Sequence, residues 1–471
     1  MRIVIILVFL NTQLIAQNWE IIATFNNGGV NCLYNDTVTN KLIIGGQFRL
    51  ANGDSMASVA QYDGEILQSM GCGIDWDCIE PYITNLGYKV LAVERYNEKL
   101  FAVGQISEIN GFSSVGITFW DGAGWNAVSN GLTYTSGGSG IGRGLSILEN
   151  NIVVLGSFNF CSGVAANAAC SYSESDGFES LGFPNYETAQ RLSCAAQFQG
   201  VNYFAGRFNN ATTPTNGDIW NIVKHENGQW LPVGNGIRGG MSSVSKMLVF
   251  QDKLYVAGVM SKAAGAPGNA IAAWDGQQWD DVGGGLFAPV EAHVYDMKVH
   301  QGKLYVVGTF TYAGGVPVEE FAVWDGVNWC RIETDVQEHL TLIRAVDFYK
   351  DTLYLAGAYL DYANNVVTNK LLKRVQPLES FQCGNLTGLS SVTENQFNAY
   401  PNPTTGLINL SFGKSVKGNI TITNLMGQRL VTQSVMGESS TLDLGSFSAG
   451  IYFLQFTDTN GSVSTQKILL E

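Results

Sequence analysis

KLYVVGTFTYAGGVPVEEFAVWDGVNW, residues 303–329, joins an apolar run that ends in glycine to a loop, a second apolar run, an Asp-Gly pair and a tryptophan. Six other segments repeat the apolar run followed by glycine. Successive glycines lie 49 to 58 residues apart, the repeat length expected for one blade of a β-propeller. They are Gly46, Gly104, Gly156, Gly206, Gly258, Gly308 and Gly357. Seven copies predict seven blades.

Each copy contains the same succession of strand and turn signals. An alternating strand precedes the apolar strand, and the Asp-Gly pair predicts a type I′ turn between the third and fourth strands. Each copy is therefore a four-stranded antiparallel meander, and its apolar second strand has to be covered by neighbouring sheets. The prediction is an all-β, seven-bladed β-propeller of four-stranded antiparallel blades. The pattern resembles propellers of the kelch and galactose-oxidase kind over about residues 18–376.

The last blade is incomplete in its own segment. After Gly357 the seventh copy lacks an Asp-Gly pair and a fourth strand. The segment NWEII places Trp19 and Ile22 in the same W-x-x-V/I pattern as the outer strands of other copies, such as Trp279 with Val282. We expect residues 18–23 to supply the missing strand, so that the propeller spans residues 17–376.

The first residues are typical of a secretory signal peptide, predicted for residues 1–16. Arg2 precedes an apolar run from Ile3 to Leu10, which is too short to cross a bilayer. No later segment has eighteen uninterrupted apolar residues, so the mature protein is not expected to span a membrane. The formal net charge is −14 and no block of Lys or Arg occurs, which disfavours nucleic acid as a partner.

Eight cysteines follow the predicted export signal, and an oxidising compartment makes disulfides possible. The predicted pairs are Cys72 with Cys78, Cys161 with Cys170, and Cys330 with Cys383. Cys32 and Cys194 occupy similar positions in distant copies and are expected to be buried free thiols. No C-x-x-C spacing occurs, so no metal site is predicted from the cysteines.

The composition changes after Pro377. Residues 377–394 are polar and are predicted to be a linker. Residues 395–471 alternate apolar and polar residues between regularly spaced turns, which is typical of a small Ig-like β-sandwich.

The last 77 residues or so also carry a set of motifs. These are Pro401, Asn402, Pro403 and Gly406, then Gly450 before Ile-Tyr-Phe, and Lys467 before Ile-Leu-Leu. They closely resemble the C-terminal sorting domain of the type IX secretion system, found in Bacteroidetes. The resemblance implies Sec export, passage across the outer membrane, the secretion machinery as partner, and a secreted or outer-surface location. The alternative is an ordinary Ig-like adhesion module.

Strand order places the loops between second and third strands, and the connections between blades, on one face of a propeller. This loop face is the predicted binding face. Its candidate ligand-binding residues are Asp75, Trp76, Asp77, Glu80, Glu291, His293, Glu338 and His339. Acidic groups and an indole could bind a cation or stack on a sugar, and the alternative for the first four is a surface loop with solvated charges. Two His and two carboxylates could form a metal site, but their spacing does not require them to converge. No catalytic residue and no cofactor is predicted.

Three functions remain open from the sequence. The first is an exported binding or adhesion protein for a glycan, a peptide or a surface protein. The second is a secreted polysaccharide-degrading or oxidase-like enzyme with its active site on the loop face. The third is a spacer in the cell envelope. An enzyme should gather three or more ionisable groups with shifted pKa values at the mouth of the central channel.

Overall fold

The computed structural model describes residues 19–26, 28–71, 88–109, 112–184, 191–209, 219–238, 242–332, 339–361, 366–375, 397–424, 429–458 and 463–471. The chain forms two compact units, Met1–Gly384 and Asn385–Glu471. The larger unit contains antiparallel sheets and a single described helical turn, Lys262–Ala264. The predicted all-β class is therefore confirmed. Within these ranges no helix is long and apolar enough to cross a membrane.

The described part of the larger unit contains seven four-stranded antiparallel meanders, numbered here as sheets 1 to 7 in chain order. Sheet 1 consists of Val30–Asp36, Lys41–Gly46, Val59–Tyr62 and Leu67–Ser69. Sheet 2 consists of Lys89–Tyr96, Lys99–Gln105, Ile117–Trp120 and Trp125–Ala127. Sheet 3 consists of Ile141–Leu148, Asn151–Ser157, Ala169–Ser173 and Gly177–Ser180. Sheet 4 consists of Arg191–Phe198, Val201–Asn209, Trp220–Glu226 and Gln229–Pro232.

The remaining three meanders have the same strand order. Sheet 5 consists of Ser243–Phe250, Lys253–Val259, Ile271–Trp274 and Trp279–Asp281. Sheet 6 consists of His293–His300, Lys303–Thr309, Phe321–Trp324 and Trp329–Cys330, and a single residue pair joins it to sheet 5. Sheet 7 consists of His339–Tyr349, Thr352–Asp361, Val366–Arg374 and Trp19–Asn26. Its fourth strand thus comes from the beginning of the described chain.

The first strand of each sheet, here called its inner strand, contacts the inner strand of the next sheet. The inner strand of sheet 7 in turn contacts that of sheet 1. The seven inner strands therefore form a closed, propeller-like ring around a central channel. Each inner strand begins at the end of the ring where the second strands finish. This end is the loop face, and the opposite end carries the tight turns.

The interiors between sheets are filled by the apolar second strands. Leu304, Val306 and Val307 of sheet 6 have no measurable exposure. Tryptophans of the fourth strands also connect neighbouring sheets: the indole N–H of Trp329 donates to the carbonyl of Val282 in sheet 5 at 2.9 Å, and Trp279 donates to Val233 in sheet 4 at 3.3 Å. These two hydrogen bonds link the outer strands of sheets 6 and 5 to the sheet before each of them.

Each inner strand contains a one-residue β-bulge opposite the glycine of the repeat. In sheet 6, Val294 pairs with Gly308 and the register shifts by one before Asp296. A Cβ on Gly308 would collide with the carbonyl oxygen of His293. Each of the other six repeat glycines has the same conflict with the carbonyl of the residue just before its partner in the inner strand. The glycines thus leave room for the bulge within one sheet.

The turns differ in type from the prediction. In all five Asp-Gly pairs only the glycine has a positive φ, as at Gly276 (105°). The Asp275 carboxylate instead accepts hydrogen bonds from the backbone N–H groups of Gln277 and Gln278, both at 2.7 Å. The predicted type I′ geometry is wrong there, because an Asx turn closes the loop. Both central residues have positive φ at Asn227-Gly228.

Small hairpins decorate the loop face. They lie between the second and third strands, and two of them pair with a short strand from the preceding connection. The hairpins are Leu50–Ala51 with Asp54–Ser55, Glu108–Ile109 with Phe112–Ser113, Phe160–Cys161 with Val164–Ala165, and Tyr312–Ala313 with Val316–Pro317. The short strands are Leu132–Thr133 and Leu286–Phe287.

One predicted disulfide is present, between Cys161 and Cys170. Cys330 is also disulfide-bonded, and its predicted partner Cys383 lies outside the described residues, as do Cys72 and Cys78. Cys32 and Cys194 are free thiols. Cys194 is buried as expected, whereas Cys32 is only partly buried.

The C-terminal unit is one barrel-like sheet. Its described strands are Asn398–Tyr400, Leu407–Asn424, Arg429–Asp443, Gly450–Asp458 and Val463–Leu470. The long second strand pairs with the third on both sides of a register shift between Ser411 and Val416. The rings of Phe397, Phe412 and Phe456 pack together inside.

Candidate functional site

Five of the eight predicted ligand-binding residues lie outside the described residues: Asp75, Trp76, Asp77, Glu80 and Glu338. For His339 only the backbone is described, and it pairs with Leu360. Glu291 is exposed in the connection that leads to sheet 6. Their predicted role in binding stays a prediction.

His293 opens the inner strand of sheet 6 and is partly buried at the loop face. Its Nε2 atom lies 2.8 Å from the hydroxyl of Ser245 in sheet 5, and its ring lies 4.0 Å from that of Tyr295. Burial, together with the charges of Arg344 and Arg191, lowers the pKa of His293 to about 4. The imidazole is therefore neutral at physiological pH.

Four cationic side chains lie at the same level of the ring as His293. Lys89 and Arg191 hold the position of His293 in sheets 2 and 4, just before the residue that pairs with the repeat glycine. Arg143 and Arg344 are the bulged residues of sheets 3 and 7. These five residues are here called the channel mouth: Lys89, Arg143, Arg191, His293 and Arg344.

The charges of these residues act on one another across the channel. Burial and the charges of Arg344 and Arg143 lower the pKa of Lys89, although sheets 7 and 2 are not neighbours. Burial and the charges of Arg143 and Arg207 lower the pKa of Arg191. Like charges held together in a partly desolvated site destabilise one another, so the mouth is a region of concentrated positive potential.

Deeper in the channel the charges are paired. Lys246 Nζ lies 2.8 Å from the Asp296 carboxylate, and Lys298 Nζ lies 2.9 Å from that of Asp347. Asp296 raises the pKa of Lys246. The ring encloses the Lys246 side chain, yet 42% of its surface stays accessible, because the channel admits solvent at this level.

An acidic group with a shifted pKa also lies on the loop face. Glu320, just before the third strand of sheet 6, is partly buried and has a positive φ of 54°. Burial and the neighbouring charge of Glu319 raise the pKa of Glu320 to about 8. Its carboxyl group is therefore largely protonated at neutral pH.

Within the described ranges no group of three or more His, Cys, Asp or Glu side chains is arranged to hold a metal ion. The mouth offers instead three guanidinium groups, an ammonium and a neutral imidazole. Such donors suit an anionic or polar ligand rather than a cation.

Four of the five mouth residues were not predicted. Each bulge shifts the strand alternation by one residue, so the side-chain period does not reveal which residue faces the channel. The sequence does contain a signal for them. Lys89, Arg191 and His293 each precede an apolar residue at the start of the alternating strand of their copy. Arg143 and Arg344 lie two residues after the equivalent position of their own copies.

In the C-terminal unit the sorting motif holds the last strand. The Asn402 side chain donates to the carbonyl of Lys467 at 2.7 Å and accepts from the N–H of Leu469 at 2.9 Å. Thr404 continues this contact by accepting from the N–H of Glu471 at 2.9 Å. Asn402 thus supplies hydrogen bonds along an edge where the flanking prolines have no N–H to offer.

Residues 398–471 match the family of secretion system C-terminal sorting domains. They are a type IX sorting domain. Its presence confirms the predicted resemblance and indicates secretion to the cell surface or the extracellular space, with the type IX machinery as partner. The predicted signal peptide lies outside the described residues and stays a prediction.

No curated protein matches this chain in sequence. Among solved structures it is similar to a Niastella koreensis GH74 enzyme, with 11% identity and a TM-score of 0.28 over 97% of this chain and 94% of that one. It is also similar to a Trypanosoma rangeli sialidase in complex with sialic acid, with 11% identity and a TM-score of 0.27 over 80% and 83% of the two chains. At such scores neither similarity carries an argument about activity. The kelch and galactose-oxidase type stays a prediction.

Proposed function

We propose that this chain is an exported binding protein whose ligand docks at the channel mouth, after delivery by its type IX sorting domain. The observation that supports the proposal is the convergence of polar side chains from five sheets at one end of the ring. Partly buried, solvent-accessible polar groups gathered from separate elements are typical of ligand sites.

A binding screen with one blocked variant tests the proposal. The purified full chain is applied to glycan and peptide arrays, and any ligand found is measured again with Ser193→Trp, which places a bulky uncharged side chain at the bulge of sheet 4. We expect at least a tenfold loss of affinity. The matched control is Glu98→Trp, at an exposed turn on the opposite face, which should bind as the wild type does. Equal binding by both variants would contradict docking at the mouth.

The raised pKa of Glu320 supports an enzyme as the second candidate. A carboxyl group that is protonated at neutral pH can serve as a general acid, as glycoside hydrolysis requires. The test is turnover of generic hydrolase substrates by the wild type, by Glu320→Gln and by Glu179→Gln, an exposed control in sheet 3. Turnover lost only in Glu320→Gln supports catalysis, and the absence of turnover in the wild type removes this candidate.

A further inference from the structure

Among the described residues, the four cations of the channel mouth have no acidic partner, unlike other enclosed cations of the ring. Lys246, Lys298 and Arg95 each form an ion pair, the last with Asp36 at 2.6 Å. Across the described ranges no carboxylate forms an ion pair with Lys89, Arg143, Arg191 or Arg344.

The interactions that these cations do make leave most of their donors available. Arg143 donates from Nε to the hydroxyl of Ser157 at 3.1 Å. The guanidinium of Arg344 lies over the ring of Tyr295, 5.1 Å from its centre. These contacts orient the two groups without neutralising them, because neither partner carries a negative charge.

Clustering these four cations is unfavourable for the stability of the folded protein. The chain has 40 Asp and Glu residues against 26 Lys and Arg, yet cations from sheets 2, 3, 4 and 7 meet at one level of the ring. Gathering like charges in a partly desolvated site raises the free energy of the folded state, and a bound anion would remove that cost. Guanidinium groups match carboxylate, sulfate and phosphate with paired hydrogen bonds.

We propose that the ligand of the channel mouth carries an anionic group, a carboxylate, sulfate or phosphate, which Lys89, Arg143, Arg191 and Arg344 bind together. His293 stays neutral beside them and supplies a hydrogen bond rather than a charge. The inference rests on the proposed binding function and names the chemistry that this function would recognise.

A matched set of sugars tests the charge and distinguishes its sources. The probes are glucose, glucuronate, glucose 6-sulfate and glucose 6-phosphate, titrated calorimetrically into the full chain at constant ionic strength. We expect at least one charged sugar to bind tenfold or more tightly than glucose. Arg191→Gln and Arg344→Gln should each weaken that binding about tenfold, as expected for loss of a charged hydrogen bond. Lys262→Gln is the control, because Lys262 is a loop-face cation already paired with Asp281.

Thermal stability supplies a second readout. Sulfate should raise the melting temperature of the wild type more than chloride does at equal ionic strength, and should do so less for Arg191→Gln. In low salt Arg191→Gln should be at least as stable as the wild type, because a repulsive charge is gone. If the arginines only support the fold, Arg191→Gln should instead be clearly less stable than the wild type, and the anion should make no difference.

The possible failures are distinguishable. Neutral sugars that bind as tightly as charged ones, with affinity unaffected in Arg191→Gln but lost in Ser193→Trp, would overturn the anion inference and leave binding at the mouth intact. If no array ligand and no probe binds, and sulfate has no specific effect on melting, both the proposed function and the inference fail.

Discussion

His293 lies among the cations of the channel mouth, and protonation of its imidazole would add to their positive charge. The folded protein keeps its pKa at about 4, whereas the unfolded chain takes up the proton near the usual value of 6.5. The unfolded state therefore binds more protons between these values. The stability that depends on neutral His293 is fully present above pH 6.5 and is lost as pH falls toward 4.

We expect His293→Gln to remove this acid sensitivity, because glutamine keeps a hydrogen-bonding side chain next to Ser245 but does not titrate. Unfolding free energies measured by denaturant titration at about pH 7.5 and about pH 5 should differ less in the variant, by about 2 kcal/mol. An equally steep acid limb in wild type and variant would show that His293 is not the responsible group.

Glu320 predicts the opposite dependence. Its pKa is raised to about 8, above the ordinary value of 4.5, so the folded state favours the protonated carboxyl group. The stability contributed by the protonated Glu320 carboxyl group is fully present below pH 4.5 and is lost as pH rises through 8. Glu320→Gln, an uncharged analogue of the acid, should therefore be more stable than the wild type by roughly 1–3 kcal/mol at about pH 9 and nearly equal to it at about pH 4. Parallel stability curves across this range would contradict the assignment.

At the scale of strands, the bulge requires glycine in the partner strand. Gly308→Ala would push a Cβ against the carbonyl of His293, which cannot move without displacing the inner strand. We expect a loss of about 3 kcal/mol in denaturant unfolding, typical of severe overpacking. Gly124→Ala is the control, since a Cβ there meets open space at an ordinary φ. Equal stability of the two variants would mean that the bulge adapts.

The tryptophans that connect outer strands allow a matched comparison. Trp329→Phe keeps an aromatic ring but loses the hydrogen bond to Val282, which should lower stability by about 1–2 kcal/mol. Trp274 is also buried, but its indole N–H has no partner in the described part of the chain. Trp274→Phe should therefore lower stability less. A larger loss at Trp274 would assign the effect to packing rather than to the hydrogen bond.

The sequence predicted the elements better than the site. Apolar runs such as the one ending at Gly308 are local signals, so strand order and the antiparallel sheets could be predicted. The channel mouth could not, because the exposure of Arg143 and Arg344 depends on a one-residue bulge and on which strands pair. The predicted type of the Asp-Gly turns was wrong for a similar reason. The Asp275 carboxylate, not the backbone alone, sets the turn geometry.

At the scale of the whole molecule, the ring is joined where its first and last described strands meet. Trp19–Asn26 pairs with Val366–Arg374, and the Trp19 side chain is buried in a cluster with Ile332 and Leu372. Without this strand the outer edge of sheet 7 would expose unpaired backbone groups and an apolar face. The stability of the ring should therefore depend on a strand far in sequence from its partner.

Trp19→Ala should destabilise the larger unit by about 3–5 kcal/mol, the range typical of a buried aromatic side chain. Ile21→Ala in the same strand is the control, because 48% of Ile21 is exposed and the change should be below about 1 kcal/mol. Denaturant unfolding followed by limited proteolysis distinguishes the units. Because Trp19 belongs to the larger unit, its loss should shift the cleavage of residues 19–375 to lower denaturant and leave the cleavage of residues 397–471 unchanged. If Trp19→Ala and Ile21→Ala unfold at the same denaturant concentration, the terminal strand does not contribute to holding the ring together.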